Sequence, residues 1–266
     1  MVQSKTLILF CSLLVICVFS APLDDDEDDE DDVEMNDEEL SANSENSTVS
    51  LSAPNPTPNK WPMTDQKPYR VIVPIVIREK DFTNEALENF RAGLQDIEEK
   101  TCVRFVDRLP RHKDFIFVHD NGKGKCCSRV GKGGGKQSLK LTNNCMLVRK
   151  KCVHEVLHAL GFHHMHQRYD RDNAITIKWE NIEETKSPFF KKLDNEWEAY
   201  NTPYDVLSCM HYLKNGFSKN RQMTIETKDP KFQDEIGKQF TLSDGDAQRI
   251  VRMYRCPGQY WNSLRQ

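Results

Sequence analysis

Residues 154–172 read His154-Glu155-Val156-Leu157-His158-Ala159-Leu160-Gly161-Phe162-His163-His164-Met165-His166-Gln167-Arg168-Tyr169-Asp170-Arg171-Asp172. His154 and His158 are one helical turn apart, so both imidazoles leave the same face and can share one ion. Gly161 stands where a helix can stop, because glycine accepts the positive φ that reverses the chain. The reversal returns His164 toward the helix as a third ligand. Three protein ligands leave one position of a tetrahedral zinc open to water, the arrangement of a catalytic site and not of a structural one. Glu155 is placed to take the proton of that water as it attacks a carbonyl, and so is the candidate general base.

His163 and His166 compete for the third place, but only His164 has the five-residue gap from His158 that this arrangement uses. Those two are expected to face solvent. A bare H-E-x-x-H also fits a charged amphipathic helix with two surface histidines. Five fixed positions are a different matter: at roughly one in twenty each they recur by chance about three times in ten million positions.

Working outward, the pattern from about residue 60 is that of a folded domain. Residues 71–77 are rich in β-branched side chains and predict a strand, with Pro74 suggesting an edge or an irregularity. Leu87, Phe90, Leu94 and Ile97 share one face of a helix over about 84–100. Further strands are expected at 103–106, 115–119 and 138–141, with the glycines of 131–135 as a turn. That glycine run lacks the strand-loop-helix context and Lys-Ser/Thr ending of a phosphate loop. Ser243 and Asp246 resemble a capping box, followed by a helix that buries Ala247, Ile250, Val251 and Tyr254.

The 266 residues are 38% hydrophobic and 29% charged, ordinary values for a globular chain. Residues 1–20 begin with one basic residue, Lys5, and continue in an apolar run too short to span a bilayer. They read as a secretory signal removed after Ser20. Residues 1–57 hold fourteen acidic side chains against Lys5 alone. Of 37 basic and 41 acidic residues this leaves 36 against 27 in 58–266, a balance of +9. Residues 24–32 are all acidic, and a Ser/Asn/Pro-rich stretch follows to about 59. Such a segment cannot bury enough apolar surface to fold. It is read either as a solvated tail or as an acidic pro-segment, 21–59, lying across a basic domain at 60–258; residues 259–266 form a short tail. Asn46-Ser47-Thr48 is a glycan acceptor, whereas Asn55 is excluded by Pro56. Nine cysteines occur; Cys11 and Cys17 leave with the signal. The odd seven that remain imply an unpaired thiol or an intermolecular bridge. Neither nucleic acid nor a stable membrane anchor is expected as a partner.

Residues 154–172 resemble the zinc-binding signature of the astacin family, within the metzincin clan. The family continuation after the third histidine is matched by Arg168, Asp170, Arg171 and Asp172. Ser208-Cys209-Met210-His211-Tyr212 is similar to its Met-turn, and residues 98–105 to its first cysteine block. The resemblance implies an α+β, two-lobed metzincin (zincin-like) catalytic domain with zinc at the base of a long cleft. It implies a secreted zinc endopeptidase that hydrolyses internal peptide bonds through a zinc-bound water activated by Glu155, with one Zn2+ per chain on His154, His158 and His164. Met210 would form the floor of the site, and Tyr212 would be a resting ligand that swings to stabilise the oxyanion. Protein or peptide substrates would lie extended along an edge strand, for which 138–141 is the candidate. The family's bridges map to Cys102–Cys256 and Cys126–Cys145. A third bridge, Cys152–Cys209, is a further expectation; otherwise the extra cysteines are buried small hydrophobes. Met165 stands where the family has the glutamate that anchors the mature amino terminus, and no Phe-x-Gly-Asp inhibitory motif occurs in 21–60. These two departures leave room for a second reading, a secreted binding protein on a degenerate peptidase scaffold.

Overall fold

The computed structural model describes residues 59–193 and 199–260, with the backbone of 15–17. The rest of the expected signal, the acidic segment to 58, Asn46 and residues 261–266 lie outside the described residues.

Val15–Cys17 is a short strand, β1. It is followed by β2 (Val71–Ile77), helix α1 (Asn84–Lys100), β3 (Val103–Asp107), β4 (Phe115–His119), β5 (Cys127–Arg129) and β6 (Lys136–Lys140). The six strands form one sheet in the order β1-β5-β6-β4-β2-β3. Neighbours among β2, β3, β4 and β6 are parallel, so the chain must cross over between them, and α1 is the crossover from β2 to β3. β5 is antiparallel to β6, and β1 to β5. The strand expected as an edge at 138–141 is therefore interior: β6 has β4 on one side and β5 on the other. Within the folded domain the outer strand is β5, whose three residues are too few to show any periodicity in sequence.

Pro74 also sits inside the sheet, because β2 lies between β3 and β4. Its missing N–H is tolerated by register. Pro74 is opposite Val106 of β3, but pairing with β4 begins only at Ile75, so no donor is demanded on that side.

Helix α1 starts at Thr83, whose hydroxyl accepts from the Ala86 amide at 3.2 Å. It buries the stripe Leu87, Phe90, Leu94 and Ile97. Helices α2 (Asn143–Met146) and α3 (Arg149–Leu160) complete that layer, α3 packing on α1. A second, two-stranded antiparallel sheet pairs β7 (Ile175–Ile177) with β8 (Ile225–Thr227), and α4 (Asp244–Met253) closes the chain. There are two cores. The larger joins β2, β3, β4 and β6 to α1, α3 and α4; the smaller gathers Ile175, Ile177, Phe190, Tyr212, Ile225 and Ile236. The fold is thus α+β with two lobes, and the residues of 154–172 lead from one lobe into the other.

Disulfides join Cys102 to Cys256 and Cys126 to Cys145. The first closes a separation of 154 residues; constraining so long a loop in the unfolded chain is worth roughly 5 kcal/mol in the chain-entropy model. Cys152 and Cys209 do not bridge. Both are buried, but on different sides of α3. His154 meets the Cys209 carbonyl. Cys152, two residues away and so nearly opposite on the helix, points its thiol at the Met146 carbonyl, 3.5 Å away.

Candidate metal centre

Helix α3 carries His154, Glu155 and His158 and ends where the sequence requires. Gly161 has φ 110°, and its amide donates to the His158 carbonyl at 2.8 Å. The Phe162 amide then reaches back to the Leu157 carbonyl at 3.0 Å, which closes the reversal. His164 follows. The three rings converge, with centroids 4.7 Å apart for His154–His158, 4.8 Å for His158–His164 and 5.2 Å for His154–His164. One ligand atom from each lies within 4.8 Å of the others.

Hydrogen bonds fix which nitrogen faces inward. The His154 Nδ1–H donates to the Cys209 carbonyl at 2.8 Å, and the His158 Nδ1–H to the Phe162 carbonyl at 2.7 Å. A carbonyl can only accept, so the lone pair is left on Nε2 in both rings. The Nε2 atoms of His154, His158 and His164 are buried and have no hydrogen-bond partner. Burial holds the pKa of His154 down to about 4, and those of His158 and His164 well below the ordinary imidazole value. Three neutral, buried, unpartnered acceptors facing one another are costly unless a cation completes them. The nitrogen-only donor set, with an acidic residue beside it, fits zinc.

The segment beneath is held by α4. Ser243 caps that helix and Asp246 completes the capping box. Asp246 does more than cap: its carboxylate accepts from the Ser208 hydroxyl at 2.5 Å and the Cys209 amide at 2.9 Å. The Ser208 Oγ accepts in turn from the Met210 amide at 3.0 Å. The Met210 carbonyl then accepts from the Met165 amide at 2.9 Å, so the Met210 turn ties α4 to the residue after His164. Met165 and Met210 are both fully buried in the larger core. At 165 the chain therefore packs an apolar side chain and not a carboxylate.

His166 does not face solvent. It is fully buried, its Nε2–H donates to the Phe189 carbonyl at 3.0 Å, and its ring lies 4.0 Å from that of Tyr212. The expected exposure fails because the chain after His164 dives into the smaller lobe. There Arg171 donates to the His166 carbonyl at 2.9 Å and to the Phe190 carbonyl. Arg168, also buried, grips Asp170 with two bonds of 2.9 and 2.7 Å and reaches the Thr202 carbonyl. His163 is half-buried.

Tyr212 packs against His164 as well, at 4.8 Å between ring centres. Burial, and after it the Glu155 charge, push its pKa above the ordinary phenol value, so it keeps its proton. Gly237 lies close against the backbone of Tyr212 and Leu213. Gly237 has φ +74°, and a Cβ there would fall 2.6 Å from the Tyr212 carbonyl oxygen. Gly237→Ala is expected to cost about 1–3 kcal/mol, since both backbone conformation and space oppose it. Urea unfolding checks this; a change of only a few tenths of a kcal/mol would show that the Tyr212 segment can yield.

The helix that carries two of the converging histidines, the glycine reversal that brings the third, and the methionine turn bonded to both make up a domain of the metzincin type. The chain belongs to the astacin family of peptidases: residues 61–255 match the family model described as Astacin. It is 37% identical to zinc metalloproteinase nas-8 of Steinernema carpocapsae over 70% of this chain and 44% of that one. It is 34% identical to the low choriolytic enzyme of Oryzias latipes over 74% of this chain and 69% of the relative. Among solved structures it is similar to high choriolytic enzyme 1, a hatching enzyme zinc-protease of the same fish. There the TM-score is 0.64 at 34% identity, covering 71% of this chain and 91% of that one. The chain spans 38–44% of the length of the first three curated relatives it matches.

Proposed function

We propose that this chain is a secreted zinc-dependent endopeptidase that cleaves internal peptide bonds of protein or peptide substrates. One zinc per chain would be held by His154, His158 and His164, with Glu155 as the general base. The observation that carries the reading is the convergence of three buried Nε2 atoms that have no other partner. When bound, zinc supplies Lewis acidity, polarising a carbonyl and lowering the pKa of a water.

The chain's own groups do the rest. Glu155, buried beside His154, takes the proton of the attacking water and returns it to the leaving amine. Tyr212, kept protonated, donates a hydrogen bond to the oxygen on which negative charge develops. Met210 gives the site an apolar floor, and the Nδ1 bonds of His154 and His158 hold those rings in one tautomer and orientation.

Substrate backbone is assigned to the side of β5 that faces away from β6, in place of β6 itself. The antiparallel pairing of Val15–Cys17 with Cys127–Arg129 supports this edge as one that accepts an added strand. Two disulfides and the signal-like residues 1–20 support an oxidising, extracellular setting. Among the described residues no helix is long and apolar enough to cross a membrane. In this reading residues 21–59 are a pro-segment, and Asn46 is its glycan acceptor.

The test is hydrolysis of gelatin or casein by the purified chain. A zinc chelator should abolish cleavage, and added zinc should restore it. Cleavage indifferent to the chelator would overturn the reading.

A further inference from the structure

The sheet has a face that no helix covers among the described residues, and it is basic. Alternation along β4 and β6 turns Ile116, Val118, Gln137 and Leu139 inward. Phe115, Phe117, Lys136 and Lys140 therefore stand on the face away from α1 and α3. There the Lys136 ammonium lies 3.8 Å from the Phe117 ring centre, and the exposed Arg108 guanidinium 4.2 Å from that of Phe115. The rings fix these cations in place while leaving their charge uncompensated. Nearby Arg78 and Lys132 are paired with Asp81 and Asp114. Among the described residues Arg108, Lys136 and Lys140 form no ion pair.

The other half of the argument is where the described chain begins. The Lys132 amide donates to the Asn59 carbonyl at 2.8 Å, which pins residue 59 to the turn between β5 and β6. The strands on either side of that turn border this basic face. Nine consecutive carboxylates, residues 24–32, end 27 residues before Asn59. The 27 residues from 32 to 59 are long enough to lay the run on β4 and β6, since a random coil of that length spans a root-mean-square distance of roughly 30 Å. Because the two are on one chain, their encounter is intramolecular, and the effective concentration is high.

We propose that the outer face of β4 and β6, through Arg108, Lys136 and Lys140, docks the chain's own acidic run at residues 24–32. The carboxylates neutralise the cations that have no ion-pair partner, which the half-buried rings of Phe115 and Phe117 hold in place. This docking does not depend on the peptidase reading, since it uses the face of the sheet opposite α3 and its histidines.

Zero-length carbodiimide coupling of the full chain, read by mass spectrometry, tests it. At low salt, amide links from residues 24–32 should concentrate on Lys136 and Lys140, several-fold above exposed lysines of the other lobe such as Lys219 and Lys228. The links should vanish in about 0.5 M NaCl, where charge screening acts within about 4 Å. Arg108→Gln, which leaves both lysines available, should lower their yield several-fold. Links spread evenly over all lysines, or unchanged in Arg108→Gln, would overturn the proposal. Mixing isotopically labelled with unlabelled chains separates the remaining case: links that join the two would assign the face to a second copy and overturn it equally.

Discussion

Replacing Glu155 by Gln is expected to lower kcat/KM for a peptide substrate by about 10²–10⁴-fold while leaving zinc content and fold unchanged, which is the range a general base contributes. The reason is positional. Glu155 lies on α3 between two histidines but is not one of the three converging donors, so in the proposed mechanism its loss removes a proton carrier and not a ligand. Glutamine keeps the shape and polarity of the buried side chain, so the helix has little cause to shift. The measurement is steady-state hydrolysis of a quenched fluorescent peptide beside zinc analysis of the same preparation. Activity within a few-fold of the parent, with zinc retained, would remove Glu155 from the chemistry.

Asp246→Ala is expected to be the most damaging change among residues remote from the histidines. One buried carboxylate accepts from the Ser208 hydroxyl, the Cys209 amide and the Ser243 amide. Hydrogen bonds to a charged acceptor are among the strong ones, and truncation leaves buried donors unmet. A loss of about 2–4 kcal/mol in urea unfolding follows from those magnitudes. Zinc affinity should fall with it, because the Cys209 carbonyl that orients His154 is carried on the same turn. Asp246→Asn, which still accepts through one oxygen, should lie between. If Asp246→Ala unfolds within a few tenths of a kcal/mol of the parent, α4 does not anchor the Met210 turn.

Much of this arrangement was legible in the sequence, and the parts that were share a cause. The stripe of α1, the capping box at Ser243 and the glycine stop at Gly161 are local devices whose spacing is set within one or two helical turns. The parts that were not legible are decided by distant partners. β6 reads as an edge until β5, three residues long, pairs with it. His166 reads as a surface histidine until Phe189 and Tyr212 close over it from residues far along the chain. Cys152 and Cys209 look like a pair because both lie close in sequence to expected zinc-site residues, His154 and Met210. Helical phase, which turns Cys152 toward Met146, keeps them apart. Asp246 could be read as a cap, but nothing local in its sequence discloses that the same carboxylate holds the Met210 turn. Met165 was visible as a departure; the structure adds that the position is sealed in the core.

The three-histidine centre is the claim on which the proposed function depends, and X-ray absorption at the zinc edge of the zinc-loaded protein tests it most directly. The account predicts three imidazole nitrogens at about 2.0–2.1 Å with light-atom ligation only, and one zinc per chain. A sulfur scatterer at about 2.3 Å, which would enlist a thiol such as Cys152 or Cys209, or a zinc that keeps three imidazoles in His164→Ala, would contradict it.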